Sequence, residues 1–286
     1  QYAVACRRVL TELENAEMRA AGDRSSPRGN LTLTAPEIPG EAILRPILEA
    51  FMDAHPAVSA RLYLLDRPMK LIDEGIDLAL RIGDLPDSTL VAIRVGQVRR
   101  VVVAAPSYLA QHPRIDKPAD LVKHQIIAYT HSGVGSWSFR PLPGSSVPRT
   151  VCFTPRLVIN NVRGVVASAV EGRGVARVFS CQVAEQVREG QLDIIVTGDE
   201  EPPLPVHVIL PNGRLSLRKV RAFVDFAVPR LRNYFARRAM GASELGTAAR
   251  SQRASAEWQV FGPNSSGLVS QVGGAVGQVL SDTALV

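Results

Sequence analysis

Arg81 is the side chain in this sequence best placed to do chemistry. It lies near the end of the mostly apolar run 76–82, inside E-G-I-D-L-A-L-R-I-G-D-L-P-D-S-T-L at 74–90, and Gly83 closes the run. A buried strand that follows a helix and ends in a loop rich in Gly, Asp and Pro delivers its last side chains to the edge where open α/β sheets bind ligands. A guanidinium there can pair with a carboxylate ligand or with a local acid such as Asp84 or Asp66. The sequence leaves both pairings open.

Other groups that could do chemistry are not arranged to do it. His55, His112, His124, His131 and His207 are isolated, with no H-E-x-x-H and no acid spacing suited to a metal. Ser136 lacks the second glycine of a G-x-S-x-G elbow, and Gly172-Arg173-Gly174 follows a helix where a dinucleotide fingerprint follows a strand. No phosphate-cradling G-x-x-x-x-G-K-S/T occurs. Cys6, Cys152 and Cys181 are far apart and never in a C-x-x-C pair, which points to reduced, structural thiols. The expectation is a binding protein with no metal, no cofactor and no catalytic residues. An enzyme on the same scaffold would need turnover that depends on Arg81 or His131.

The composition agrees. Hydrophobic residues make up 46% of the 286, ample for a core, and no run approaches the ~18 apolar residues of a membrane helix. The N-terminus is charged and periodic where a signal peptide has an apolar block, so a cytoplasmic location is expected. A net charge of +6 permits an acidic partner, yet the paired arginines 7–8, 99–100 and 237–238 are scattered.

The elements that must position Arg81 alternate. Tyr2, Cys6, Val9, Leu13 and Ala16 recur at spacings of four and three, a heptad seam on a helix that could also pack on its own domain, and the chain opens inside this pattern without a cap. A polar linker, 22–29, follows. A strand at 31–35, a helix at 41–54, a strand at 58–65, a short helix ending at Glu74-Gly75 and the Arg81 strand make β-α-β-α-β, which predicts a parallel sheet with helices on both faces. The extended stretch 91–105 is longer than one strand needs and is a candidate crossing into a second domain. A second β-α-β pattern follows, with Asn160-Asn161 capping a helix at 162–171, and the prolines at 202, 203 and 205 bracket a second crossing near 205–210. Ser216 is expected to cap a final helix, and Pro229 to bend or end it.

Two such lobes joined by two crossings place the ligand between them. The expected lining is Pro36, Ile38, Gly40, Asp66, Arg81, Gly83, Thr130, Ser132 and Asn161, several of them at helix starts that favour an anion. A small carboxylate is the natural guess.

T-A-P-E-I-P-G at 34–40, A-H-P at 54–56, the 74–90 run, V-V-V-A-A-P-S-Y-L-A, K-P-A-D-L, E-G-R-G-V-A-R-V-F-S-C-Q-V and L-P-V-H-V-I-L-P-N-G-R resemble, in order and spacing, the effector-binding portion of LysR-type transcriptional regulators. The resemblance covers about residues 1–238. It implies a periplasmic-binding-protein-like α/β fold of two Rossmann-like subdomains joined by two crossing strands, preceded by a dimerisation linker helix at 1–21. The implied partition is subdomain I at 29–102 and 206–238, subdomain II at 103–205 and a poorly ordered tail at 241–286. It also implies a small-molecule effector, anionic or aromatic, and self-association as a dimer or tetramer. DNA would be reached through a winged helix-turn-helix that this chain is expected to lack, and no membrane partner is expected. A free solute-binding protein of a transport system is the alternative that the same fold physics allows.

Overall fold

Two stretches of apolar alternation each need a sheet to bury them, and the chain supplies one sheet for each. A computed structural model describes residues 26–67, 69–85, 90–130 and 133–237. The heptad residues Tyr2, Cys6, Val9, Leu13 and Ala16, along with His131, Ser132 and the 241–286 tail, lie outside the described residues.

β1 (Gly29–Ala35) pairs in parallel with β2 (Val58–Leu64) and with β3 (Leu78–Ile82). Between β1 and β2 the chain turns helical at Glu37–Pro39, earlier than expected. Pro36 holds the extended conformation before this turn, and Pro39 sits in the first turn, where its missing N–H costs nothing. A π-helical segment, Gly40–Leu44, leads into α1 (Arg45–Ala54). Position 40 tolerates only glycine, because a Cβ there would stand 2.4 Å from Leu64 Cδ2 and 2.8 Å from Ala35 Cβ.

The long extended stretch divides at Arg99. β4 (Leu90–Val98) belongs to the first sheet and β5 (Arg100–Ala104) to the second. After α2 (Pro106–Leu109) and a 3-10 turn at Pro118–Lys123 come β6 (Ile126–Tyr129) and the hairpin of β7 (Ser136–Phe139) and β8 (Arg149–Cys152). β9 (Leu157–Ile159), α3 (Val162–Val170), β10 (Val175–Phe179), α4 (Ala184–Arg188) and β11 (Asp193–Ile195) complete the second lobe. The chain returns through 196–203 to β12 (Leu204–Pro211), which lies wholly in the first sheet, so the second crossing precedes the expected 205–210. The last helix, α5, spans residues 218–237.

The sheets run β2-β1-β3-β12-β4 and β11-β5-β10-β6-β9. The first is mixed, not parallel throughout: β12 enters from the other lobe and pairs antiparallel with both β3 and β4. Among the described residues, helices cover one of its faces. Phe51 of α1 meets Phe223 of α5 edge-on at 5.1 Å, and both sit in the core with Leu31, Leu33, Leu78, Leu80 and Val208. The opposite face is covered by a turn at 71–75, where a helix was expected. Its carbonyls are taken up by Glu74, Gly75 and Ile76, and Gly75 at φ +67 stops it.

The expected cap of the last helix fails for a local reason, and the expected stop at Pro229 does not occur. The Ser216 hydroxyl donates to Gly213 O within a 3-10 turn at Arg214–Ser216 and caps nothing, and the helix starts beyond Leu217. Pro229 faces solvent on α5, which continues to 237. A buried carboxylate, unnoticed in the sequence, anchors this helix to the sheet: Asp77 accepts from Thr32 N at 3.0 Å and lies 3.5 Å from Lys219 and 3.3 Å from Arg214.

Candidate functional site

The carboxyl end of β3 carries Arg81 onto the sheet face away from the helices. Register fixes this: Thr34 lies beside Ala79, Ala79 beside Ile209, and Arg81 beside His207, so Thr34, Arg81 and His207 share a face. A β-bulge between Val206 and His207 interrupts pairing with β4 next to this group and re-aims the local backbone.

Among the described residues, Thr34 Oγ1, Arg81 Nη2 and His207 Nδ1 are all buried without a hydrogen-bond partner. An orphaned buried polar atom costs about 1–3 kcal/mol, so three on one face make a site with unfilled demand. Burial lowers the Arg81 pKa, and Asp66 opposes that shift. The sequence left Arg81 open between a ligand and a local acid. No ion pair of Arg81 within 4.0 Å occurs among the described residues, and Asp66 is engaged elsewhere.

Asp66 accepts from Glu37 N at 3.1 Å and from the Tyr129 hydroxyl of the other lobe at 2.9 Å. Burial and these acids raise the Tyr129 pKa, which keeps the hydroxyl a donor. Asn161 caps α3 by accepting from Gly164 N at 3.1 Å, and its amide donates across the cleft to Glu37 at 2.7 Å. Arg163 pairs with Glu41, again between lobes, with both side chains about half exposed. The helix starts that the sequence offered to an anion are therefore already satisfied, one by Asp66 and the other by Asn161. Their residues form a latch between lobes. Each of the two hydrogen bonds ends on a carboxylate and is worth about 1.5–3 kcal/mol, and the half-exposed pair about 0–1, so the latch ties the lobes together.

The remaining expected residues are placed as follows. Pro36 precedes the helix start and its carbonyl accepts from Gly40 N at 2.7 Å; Gly40 serves packing. Ile38 packs on the core of the other lobe. Gly83, at φ +112, donates its N–H to Pro205 O at 2.9 Å and extends the pairing of the Arg81 strand with β12. Thr130 is exposed, with its N–H on Ile159 O.

The second lobe holds a group that the sequence reading missed. Arg177 on β10 is 9% exposed, donates to Ser138 O at 2.9 Å and lies over the Trp137 ring at 5.4 Å. Burial pushes its pKa down to about 10, with Arg100 adding to the shift and Glu201 opposing it, so it stays cationic at neutral pH. Three consecutive acids of the crossing face arginines: Asp199 meets Arg149, Glu200 lies 3.3 Å from Arg99, and Glu201 lies 2.7 Å from Arg100 and 4.0 Å from Arg177. The clue available in the sequence was a lone arginine in V-A-R-V-F.

A groove of about 630 Å³ also runs between lobes, lined by Ile38, Arg45, Arg163, Gln182, Arg188 and Tyr234 among others. Its arginines are already paired, Arg45 with Glu49, Arg163 with Glu41 and Arg188 with Glu185, so it shows less unmet demand than the Arg81 face. No cluster of three or more His, Cys, Asp or Glu side chains fit to hold a metal occurs among the described residues, and no helix there is long and apolar enough to cross a membrane.

Residues 24–232 match the family model described as the LysR substrate binding domain. The chain belongs to the LysR family. An HTH-type transcriptional regulator of Xanthomonas campestris pv. campestris is 33% identical over 231 residues, covering 79% of this chain and 66% of that protein. The chain thus spans slightly under two thirds of that relative. The transcriptional regulator PtxR of Pseudomonas aeruginosa is 31% identical over 219 residues, covering 76% and 69%. The LysR fold is seen directly in the regulatory domain of CrgA from Neisseria meningitidis, with TM-score 0.64 and 24% identity over 72% of this chain and all of that one. The effector domain of AmpR from Pseudomonas aeruginosa gives TM-score 0.58 at 20% identity. These relatives are regulators, not enzymes, and none of them favours the transport alternative. The fold is the two-lobed, periplasmic-binding-protein-like arrangement expected of a LysR regulatory domain.

Proposed function

We propose that this chain is the effector-sensing and oligomerising region of a LysR-type transcriptional regulator, and that a small organic anion binds between its lobes with its carboxylate on Arg81. The supporting observation is the buried, unpartnered Arg81 Nη2 on one sheet face with Thr34 Oγ1 and His207 Nδ1. A carboxylate there would receive charge-assisted hydrogen bonds that no protein group now makes. The lobes, residues 29–99 with 204–237 and residues 100–203, would close on the ligand, and the Tyr129–Asp66 and Asn161–Glu37 bonds would bias that closure. Tyr2, Cys6, Val9, Leu13 and Ala16 would carry the dimer seam, and a winged helix-turn-helix of the regulator would carry the closure to DNA in the cytoplasm. The protein would turn nothing over.

A thermal-shift screen of the purified chain against small aliphatic and aromatic acids tests this reading. Acids should raise the melting temperature of the wild type and not of Arg81→Gln. A chain that stays monomeric at high concentration and responds to no acid would defeat it.

A further inference from the structure

Backbone pairing places Asp66 on the cleft. The β1–β2 register ends at Ala35 and Leu64, and Leu65 N donates to Ala35 O at 2.9 Å, so Asp66 leaves the sheet beside Pro36 and Glu37. Tyr129 ends β6 in the other lobe, where its register partner is Ile159. Asp66 divides its two oxygens between the lobes: Oδ1 accepts from Glu37 N at 3.1 Å and Oδ2 from the Tyr129 hydroxyl at 2.9 Å. One carboxylate thus spans the cleft. Glu37 N is open to it because Pro36, at the start of the helical stretch 37–54, has no side chain that can cap.

A backbone N–H from one lobe and a phenolic hydroxyl from the other, each on its own oxygen of one carboxyl group, form the donor set with which a free acid would bridge the lobes. Here the chain supplies the acid. Because Asp66 is tethered, it acts at an effective concentration of roughly millimolar or more and loses less translational freedom than a free acid would. The Asn161–Glu37 bond beside it follows the same plan, with a second carboxylate of the first lobe taking a donor from the second.

We infer that Asp66 is the built-in occupant of a carboxylate site shared by the two lobes, and that it holds them together with no effector bound. This goes beyond the proposed function and does not depend on Arg81 as the effector's anchor. Its consequence is specific. Cutting the side chain back leaves a site made of Glu37 N–H and the Tyr129 hydroxyl, and a small free carboxylate fills it and restores the bridge. A side chain that merely capped the helix start would be lost without such rescue.

The test uses the full chain carrying Arg81→Gln, so that no acid is read at Arg81. Hydrogen exchange at amide 37 and the melting temperature are measured for this chain and after adding Asp66→Ala. A three-atom ligand binds at roughly millimolar at best, so formate is titrated to about 100 mM against sodium chloride of equal ionic strength. Asp66→Ala should speed exchange at amide 37 by at least about 10-fold, and formate, not chloride, should return most of that protection and of the lost melting temperature. Adding Tyr129→Phe to the vacated chain should weaken the rescue by about 10-fold, and Asp66→Asn, which still fills the space, should show none. If the alanine chain does not fold, Asp66→Ser, which keeps an acceptor for Glu37 N, repeats the titration. A folded Asp66→Ala or Asp66→Ser chain that formate leaves unchanged, equal restoration by chloride, or rescue of Asp66→Asn overturns the inference. Each of these results leaves the proposed acid site at Arg81 standing, and a failure of the wild type to bind any acid overturns that site and not this inference.

Discussion

The two lobes hold their arginines in opposite ways. In the first, Arg81 stands at the cleft end of β3 with an unpartnered nitrogen, while the most buried ion pairs of that lobe among the described residues lie at the other end of the strand, around Asp77, Lys219 and Arg214. In the second, the arginines nearest the cleft are bound to the crossing that joins the lobes, through Asp199, Glu200 and Glu201. The first lobe therefore keeps its stabilising electrostatics away from the ligand. The second ties them to the hinge.

Breaking the first lobe's core should have the largest effect. Phe51 is fully buried and stacks edge-on against Phe223 and Phe226, so Phe51→Ala should cost about 3–5 kcal/mol in denaturant unfolding. Arg81→Gln removes the ligand's charge partner and should weaken acid binding by roughly 10- to 100-fold in calorimetry, for about 1.5–3 kcal/mol, with no loss of melting temperature because no protein group loses a bond. Tyr129→Phe removes a cross-lobe bond to a carboxylate and should cost about 1.5–3 kcal/mol of lobe–lobe docking, seen as a larger radius of gyration in solution scattering of the unliganded chain.

The smallest effect concerns His124 in the second lobe. Burial, with His112 alongside, lowers its pKa, and its Nε2 has no partner among the described residues. The folded state resists a proton that the unfolded state accepts below about pH 6.5, so stability should fall as pH drops through that value. His124→Asn should flatten this slope in thermal melts between pH 7 and 5.

Much of the scaffold was legible in the sequence because it depends on local period and punctuation. Apolar alternation marked β1 and β2, and the excess length of 91–105 marked the crossing that the structure breaks at Arg99. The misplaced elements were not decided by local pattern: a turn replaces the helix before Gly75, and the last helix starts beyond a 3-10 turn at Arg214–Ser216. The site was legible in part. Residue type and position singled out Arg81, but which lone polar atoms would lack partners depends on both lobes at once. Asp66 and Asn161 were read as ligand contacts, and in the folded chain they bond Tyr129 and Glu37 across the cleft. Arg177 and Trp137 escaped notice because they lie 40 residues apart in sequence, on a strand and on a hairpin that only the fold brings together.

The central claim is that the ligand sits between the lobes and is held by both. Amide hydrogen exchange, with and without an acid that raises the melting temperature, tests it most directly. The expected result is new protection at 34–38 and 81–83 in the first lobe together with 127–130 and 161–164 in the second. Protection confined to one lobe, or to the groove segments 42–45 and 182–191, would contradict it.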